Sequence, residues 1–352
     1  MCGIAGWVDW EGDLTRQKDI LENMVATLAC RGPDAAGVWI SRYAALAHCR
    51  LIVVDPAGGG QPMIRKRGKN RYIITYNGEL YNTPELRREL EARGYRYQGH
   101  SDTEVLLTAF MEWGKDCVLR LNGIFAFAIW NEEEQSLFMA RDRLGVKPLF
   151  YTRRGSAFIF GSELKALLAH PAVPPEVDAE GLAEIFALSP GRTPGHGIFR
   201  GVRELRPGHC LVYNRRGTHI FRYWALESHP HLDDLETTAH KVGHLLQDAV
   251  RRQLVADVPV CTLLSGGLDS SAITAFAAAA FRQDSTEPLR TFSVDYMDND
   301  LYFRPNQFEP DTDARWTERV AHFLGSRHRT VLIDTATTLR PYASLRSWMH
   351  RP

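Results

Sequence analysis

Met1-Cys2-Gly3-Ile4-Ala5-Gly6 opens the chain, and its second residue decides how the first half is read. Methionine aminopeptidase removes Met1 readily before a small residue such as Cys, which leaves Cys2 as the chain end. One residue then carries both a thiol and an α-amine, which titrate near ~8.5 and ~7.7–8 when unperturbed. The amine can take the thiol proton near neutral pH, directly or through a water. That is the nucleophile–base pair of an N-terminal hydrolase. Gly3 and Gly6 let backbone and ligand approach closely. On the hexapeptide alone, a cysteine that merely happens to stand second is the competing reading.

The bulk of the sequence narrows the setting. At 352 residues the chain is too long for one ordinary core and suits two domains. Its formal net charge of +0 gives no electrostatic case for nucleic acid or an anionic membrane as partner. The longest apolar stretch, around Ala272–Phe281, is far too short to span a bilayer. Asp9, Glu11 and Asp13 follow the start at once, so it is no signal peptide. The six cysteines (Cys2, Cys30, Cys49, Cys117, Cys210, Cys261) form no CxxC and no metal spacing. Reduced thiols and a cytoplasmic location are the expectation.

Two rhythms divide the chain. Through Cys30, Ile20, Leu21, Met24, Val25 and Leu28 share a helical face that begins near Thr15 and stops at Arg31-Gly32-Pro33-Asp34. Thr83-Pro84 reads as an N-cap with Pro at the first helical position, and Gly94 follows the last turn. Ser101-Asp102-Thr103-Glu104 is a capping box opening a helix to about Trp113. Phe125–Trp130, Leu137–Arg141, Leu149–Tyr151 and Ala157–Phe160 read as strands. Residues 1–212 thus form the first domain, and 213–238, centred on the aperiodic Tyr223–Thr238, a linker. From 239 onward helix and strand alternate: His240–Leu254 helix, Val258–Leu264 strand, Ser265–Ser271 glycine turn, Ser270–Phe281 helix, Leu289–Val294 strand, Trp316–Leu324 helix, His328–Ile333 strand. That alternation predicts a parallel sheet with helices on its faces.

Seven segments in the first 210 residues agree in order and spacing with one family. They are Met1–Gly6, Cys30–Asp34, His48-Cys49-Arg50-Leu51, Tyr76-Asn77-Gly78-Glu79-Leu80-Tyr81-Asn82, Gly99–Glu104, Arg141–Leu149 and Gly161–Ala166. On these the chain resembles the class II glutamine amidotransferases, and within them the asparagine synthetase family. The resemblance implies an α/β fold: an α-β-β-α sandwich of the N-terminal nucleophile hydrolase type, followed by a partial ATP-pyrophosphatase domain. It implies that Cys2 attacks the side-chain amide of glutamine, that ammonia leaves, and that water hydrolyses the γ-glutamyl thioester to glutamate. Arg50 is then placed to hold the α-carboxylate of glutamine by a two-pronged hydrogen bond. Asn77 and Gly78 supply the oxyanion hole, a side-chain amide and a backbone N–H. Glu79 and Asp102 receive the α-ammonium. By themselves, Asn77-Gly78 is a favoured turn dipeptide, and Asp102 suits the first turn of a helix through the dipole alone. The chain departs from the family at Cys30, often His, and at Ile52, commonly Ser.

In the second half, Leu263-Leu264-Ser265-Gly266-Gly267-Leu268-Asp269-Ser270-Ser271 lies between a strand and a helix. It lacks the Gly-Lys-Ser/Thr ending of a Walker A loop and resembles the pyrophosphate loop of ATP pyrophosphatases. Gly266 and Gly267 free backbone to wrap phosphate oxygens, Ser265, Ser270 and Ser271 add hydroxyls, and the helix N-terminus adds its dipole. Asp269 repels phosphate unless it helps hold Mg²⁺, so ATP and Mg²⁺ are the implied cofactors. By that resemblance, backbone near Leu263 and Val294 would contact adenine, and Leu264 belongs with the ATP-binding residues. Its chemistry is adenylation of a carboxylate, the side chain of aspartate in asparagine synthetases, followed by displacement of AMP by ammonia. A homodimer is the family's expectation.

After Thr337 the resemblance fades, and neither an acidic substrate loop nor a late catalytic lysine of the family occurs. The expectation is a truncated, frame-shifted or partial chain of three parallel strands that hydrolyses glutamine and does not make asparagine alone. Two readings compete: a relative acting on another carboxylate in secondary metabolism, and a non-catalytic remnant. Retention of Cys2, Arg50, Asn77, Gly78, Glu79 and Asp102 opposes the remnant. The Ser-Gly-Gly-Leu-Asp-Ser-Ser loop opposes a phosphoribosyl-pyrophosphate amidotransferase, and Cys2 opposes a β-lactam synthetase.

Overall fold

A computed structural model describes residues 1–284, 287–307 and 311–334, which fall into two compact units, 1–229 and 230–352. The first unit has two six-stranded antiparallel sheets. One runs in the order β10 (Val202–Glu204), β8 (Phe150–Arg154), β9 (Ala157–Gly161), β1 (Gly3–Asp9), β3 (Ala44–Arg50), β2 (Ala35–Ile40). The other runs β12 (Gly217–Arg222), β11 (His209–Asn214), β7 (Ser136–Arg141), β6 (Gly123–Asn131), β5 (Asn70–Leu80), β4 (Met63–Arg67). Ile4, Val8, Leu46, Ile73, Ala128 and Phe160 fill the space between the sheets. The alternate residues of β1, Ala5 and Trp7, face outward onto α1 (Lys18–Ala26) and α4 (Leu164–Leu168). The outer face of the second sheet packs on α2 (Thr83–Ala92) and α3 (Asp102–Trp113) through Leu86, Leu90, Val105 and Leu106. A further helix, α5, spans Ala179–Leu188. The expected α-β-β-α sandwich is therefore present, and burial of both strand faces holds its layers together.

Several boundaries move. The first helix is shorter than the 15–30 pattern, because Asp13 caps a separate 3₁₀ turn at Leu14–Arg16. The cap of α2 is Asn82, not Thr83. The Asn82 side chain makes no cap bond and instead joins Arg120 O (2.9 Å) to Asn122 N (2.9 Å). Ser101 does cap α3, accepting from Glu104 N at 3.3 Å. A domain end at 212 would cut the β11–β12 hairpin, whose register runs from Asn214↔Gly217 to His209↔Arg222. The first unit instead continues to His229, and α6 (Leu235–Arg252) starts inside the expected linker.

The second unit carries a parallel sheet β13 (Cys261–Leu263), β14 (Arg290–Tyr296), β15 (Arg327–Ile333), three-stranded among the described residues. Its helices are α6, α7 (Leu268–Asp284), α8 (Asn299–Tyr302) and α9 (Asp313–Leu324). The Val258–Leu264 strand shrinks to three residues. The α6 stripe is buried at Val250, while Val242 and Leu245 are exposed. The core of this unit gathers Val250, Ala277, Ala278 and Leu289. Residues after 334 lie outside the described residues, including the stretch in which the family resemblance fades.

Candidate glutaminase and nucleotide sites

Four sequence-distant segments converge on the chain start. Ser162 and Ile4 exchange hydrogen bonds, Ser162 N to Ile4 O (2.9 Å) and Ile4 N to Ser162 Oγ (3.0 Å), which fixes the end of β9 beside β1. Arg31 donates from Nε to Cys2 O (2.9 Å) and pairs through Nη1 with Glu163 (2.9 Å), which Lys165 also meets at 2.8 Å. Asp34 accepts from Ile52 N (2.8 Å), tying the Arg31–Asp34 turn to the segment after β3. Only the backbone of Ile52 makes that bond, and Cys30 is exposed. Neither departure from the family therefore removes a contact made here.

The Cys2 thiol is half-buried. It sits between the backbone groups of Leu51, 3.6 Å from the carbonyl and 3.4 Å from the N–H. Burial pushes its proton affinity up, against the opposing pull of the Leu51 N–H, the terminal amine and Arg50. A thiol so placed needs a base to ionise it. In this chain Met1 carries the terminal amine and the Cys2 nitrogen is a peptide nitrogen; removal of Met1 would put the amine at that atom. The Met1 amine is already lowered, by burial first and then by the Lys147 and Arg31 charges.

Asn77 and Gly78 lie in the middle of β5, paired with Ala126 and Phe125, and not in a turn. Strand alternation sends Thr75 to Ala47 O of the facing sheet (2.9 Å) and sets Asn77 and Glu79 on that same inner face. Asn77 is 1 % exposed, and among the described residues its buried Nδ2 has no partner. An orphaned buried donor costs about 1–3 kcal/mol, so it marks a position a ligand oxygen would satisfy. Gly78 has no room for a side chain: a Cβ would stand 2.5 Å from Tyr76 Cε2 and against the Ile124 carbonyl.

Arg50 is buried and donates to three carbonyls of one loop: Val54 (3.0 Å), Asp55 (2.6 Å) and Pro56 (3.1 Å). That loop is held by the Asp55 carboxylate, which accepts from Gly58 N (2.7 Å), His100 N (2.8 Å) and Ser101 N (3.1 Å). Burial alone would raise Asp55; the three amides outweigh it and its pKa falls. Asp102 accepts on Oδ2 from Tyr76 OH (2.8 Å) and Leu80 N (3.1 Å). Glu79 is pushed up to about 7, by burial first and by Asp102 next, with Lys147 and the terminal amine opposing. Burial raises Asp102 as well, and two carboxylates so placed form a site for a cation.

Cys2, Arg50, Gly78, Glu79 and Asp102 line one cavity of about 30 Å³, enough for one water. Val53, Val54 and Gly59 also line it, so a ligand larger than a water enters only if the 51–61 segment gives way. No role was expected for Leu51, Tyr76, Lys147 or Glu163, since none carries a residue-type signal; Leu51 meets Cys2, Tyr76 meets Asp102 and Glu163 meets Arg31 through the tertiary fold.

In the second unit a cavity of about 370 Å³ is lined by Leu263, Leu264, Ser265, Ser270 and Val294, together with Asp295, Asp313 and Thr317. The helix α7 starts at Leu268, so Asp269, Ser270 and Ser271 occupy its first turn. Gly266 has φ +80°, and a Cβ there would stand 2.8 Å from Trp316 Cβ and 2.9 Å from Thr317 N. Gly267 has only Ser265 Oγ near it, at 3.6 Å, and Ser271 Oγ is buried with no partner among the described residues. This open glycine loop with an unsatisfied hydroxyl fits phosphate oxygens. Asp269 is exposed, and the described residues contain no cluster of three or more His, Cys, Asp or Glu able to hold a metal. Carboxylates that are not gathered into such a cluster suit an ion that arrives with the phosphates.

Residues 1–224 match the model of the glutamine amidotransferase domain. The chain belongs to the glutamine amidotransferase family. Residues 241–352 match the asparagine synthase model. It is 53% identical to asparagine synthetase [glutamine-hydrolyzing] 3 of Bacillus subtilis over 95% of this chain and 54% of that protein. It is 33% identical to amidase chry2 of Gibberella zeae over 80% of this chain and 46% of that protein. The chain thus spans about half the length of these relatives. Among solved structures, the allosteric regulatory enzyme of purine biosynthesis superposes with TM-score 0.50 at 17% identity, covering 96% of this chain and 91% of that one. That likeness concerns the fold alone.

Proposed function

We infer that the first unit hydrolyses glutamine at Cys2 and that the ammonia serves amidation of an ATP-activated carboxylate at the second, with aspartate as acceptor and asparagine, AMP and pyrophosphate as products. The observation that carries the glutaminase reading is the buried, unpartnered Nδ2 of Asn77 on the face of β5 that also bears Glu79. In the first step Cys2 Sγ attacks the amide carbon of glutamine, its proton passing to the α-amine exposed by loss of Met1. Asn77 Nδ2 and the Gly78 N–H receive the developing oxyanion. The proton returns to the leaving nitrogen, ammonia departs, and water cleaves the thioester to glutamate. Arg50 takes the α-carboxylate once the Val54–Pro56 carbonyls release it, and Glu79 with Asp102 takes the α-ammonium.

In the second unit, Ser265, Gly266, Gly267, Ser270 and Ser271 would bind the ATP phosphates, with Mg²⁺ brought by ATP against Asp269. Leu263 and Val294 would flank the base. ATP bound there supplies an adenylate leaving group, and the residues of this loop orient its phosphates. A second acceptor is favoured by the likeness to a fungal amidase: the same two modules amidating a different carboxylate. One incubation tests both readings. Purified chain with glutamine, ATP, Mg²⁺ and aspartate is assayed for glutamate and asparagine, with Cys2→Ala and ammonium-for-glutamine controls. Glutamate that persists in Cys2→Ala refutes the glutaminase reading. Glutamate with no asparagine from either nitrogen source removes aspartate amidation from this chain.

A further inference from the structure

Lys147 is a buried lysine that the chemistry above does not use. It is 6 % exposed, and among the described residues its ammonium makes no ion pair or hydrogen bond. A lysine is rarely buried without a partner, because its charge loses hydration and gains nothing in return. The turn that carries it is held from both sides. The Asp142 carboxylate accepts from Phe125 N (3.2 Å), Leu144 N (3.2 Å), Val146 N (2.9 Å) and Lys147 N (3.0 Å). The Arg141 guanidinium donates to Gly145 O, Lys147 O and Leu205 O, each at 2.7 Å, and pairs with Glu204 at 3.1 Å. These contacts fix where the Lys147 backbone lies and leave its ammonium free.

Phe125 N, which shares the Asp142 Oδ2 atom with Lys147 N, belongs to the residue that pairs with Gly78 across β5 and β6, so the turn abuts the glutaminase cavity. The charges acting on the ammonium are Glu79, Cys2, Arg31 and Asp142, of which Glu79 and Cys2 line that cavity. The groups bearing on Cys2 are the terminal amine, Arg50 and Lys147 as cations and Glu79 as an anion, with Tyr76 and Cys49 neutral beside it. Arg31 and Asp34 act in addition on the amine. Arg31 is spoken for by Glu163 and the Cys2 carbonyl, and Arg50 by three carbonyls. Lys147 is the cation of this set that has no partner.

We propose that Lys147 is a positioning residue for Cys2: its ammonium, carried by the locked 141–147 turn, stabilises the thiolate and helps keep the neighbouring terminal amine free of its proton. The inference rests on the reading of Cys2 as the nucleophile. A positive charge disfavours a protonated amine and favours a thiolate, so both halves of the base–nucleophile pair shift in the productive direction. It also favours ionised Glu79, the form that receives glutamine's ammonium.

The test is the pH profile of Cys2 alkylation by iodoacetamide, read by mass spectrometry of the N-terminal peptide of the full chain after Met1 removal. Wild type, Lys147→Met and Lys147→Arg are compared, with thermal melts to establish that each folds. Lys147→Met is expected to move the alkylation limb to higher pH by about half a unit or more, which is about threefold slower labelling below the limb. Lys147→Arg keeps the limb in place. A limb that stays put in folded Lys147→Met overturns the proposal, as does a limb that moves equally in Lys147→Arg. Should Lys147→Met not fold, Lys147→Gln replaces it with the same expectation. Glutamate release by wild type and Cys2→Ala, measured alongside, judges the nucleophile reading separately. The alkylation limb reports on Lys147 whatever that result.

Discussion

Replacing Asp142 with Asn should destabilise the first unit more than any change of equal size at its surface. The carboxylate is 1 % exposed and each oxygen takes two backbone amides: Leu144 and Val146 on Oδ1, Phe125 and Lys147 on Oδ2. Asn keeps one oxygen and turns the other into an NH₂. Whichever way the amide is flipped, two N–H donors then face a donor. Hydrogen bonds to a charged group contribute about 1.5–3 kcal/mol each, so losing two costs roughly 3–6 kcal/mol. For a unit of this size each kcal/mol moves Tm by roughly 2–4 °C, so a fall of roughly 10 °C is the central expectation. The assay is a thermal melt followed by near-ultraviolet circular dichroism, with Glu133→Gln on the exposed β6–β7 turn as control, expected within about 0.5 kcal/mol of wild type. A melt of folded Asp142→Asn within 2 °C of wild type would refute the account of the turn. The same substitution loosens the backbone under Lys147, so residual glutaminase activity should fall even well below the melting point.

Three further outcomes follow from the site. Asn77→Ala should lower kcat for glutamate release by roughly 10²–10³ with little loss of stability, since the deleted donor is unpartnered in the ligand-free chain; an unchanged kcat would remove Asn77 from the oxyanion hole. Glu79, raised from 4.5 to about 7, contributes stability that is full below pH 4.5 and lost as pH rises through about 7. Glutamine's ammonium needs the ionised form, so KM for glutamine should fall as pH rises through 7, and a KM flat from pH 6 to 8 would contradict the cation site. Gly266→Ala forces a positive-φ residue and a Cβ against Trp316 and Thr317, so stabilisation by Mg-ATP in thermal shift should disappear while Gly243→Ala, on the open face of α6, retains it.

Elements whose two faces differ could be read directly. The helix through Leu21, Met24 and Val25 shows a 3.6-residue period because one side meets solvent. Strands β1 and β3 show no alternation: Gly3–Val8 and Ala44–Arg50 are buried on both faces, between a sheet and helices. Their sequences read as apolar runs with no period to detect. The Asn77-Gly78 pair misleads in the same way, because a favoured turn dipeptide lies mid-strand, in register with Ala126 and Phe125 of β6. The β11–β12 hairpin was lost to the linker because Asn214–Gly217 sits between short runs of ordinary hydrophobicity.

The N-terminal position of Cys2 and the family resemblance carried by seven segments in order were enough to nominate Cys2, Arg50, Asn77, Gly78, Glu79 and Asp102, and the change of rhythm separated a first domain from a following parallel sheet. Functional groups of defined type must occur in fixed order if one backbone is to bring them together. The sequence did not show which nominated groups are already satisfied. Arg50 is engaged by three loop carbonyls and Asp102 by Tyr76 and Leu80, while Asn77 waits without a partner. Nor did it show that the Lys147 side chain is buried with no ion pair or hydrogen bond among the described residues. Those facts depend on distances between atoms far apart in the chain. Hydrogen bonding and desolvation act over a few ångströms, so only the packing of the two sheets decides them.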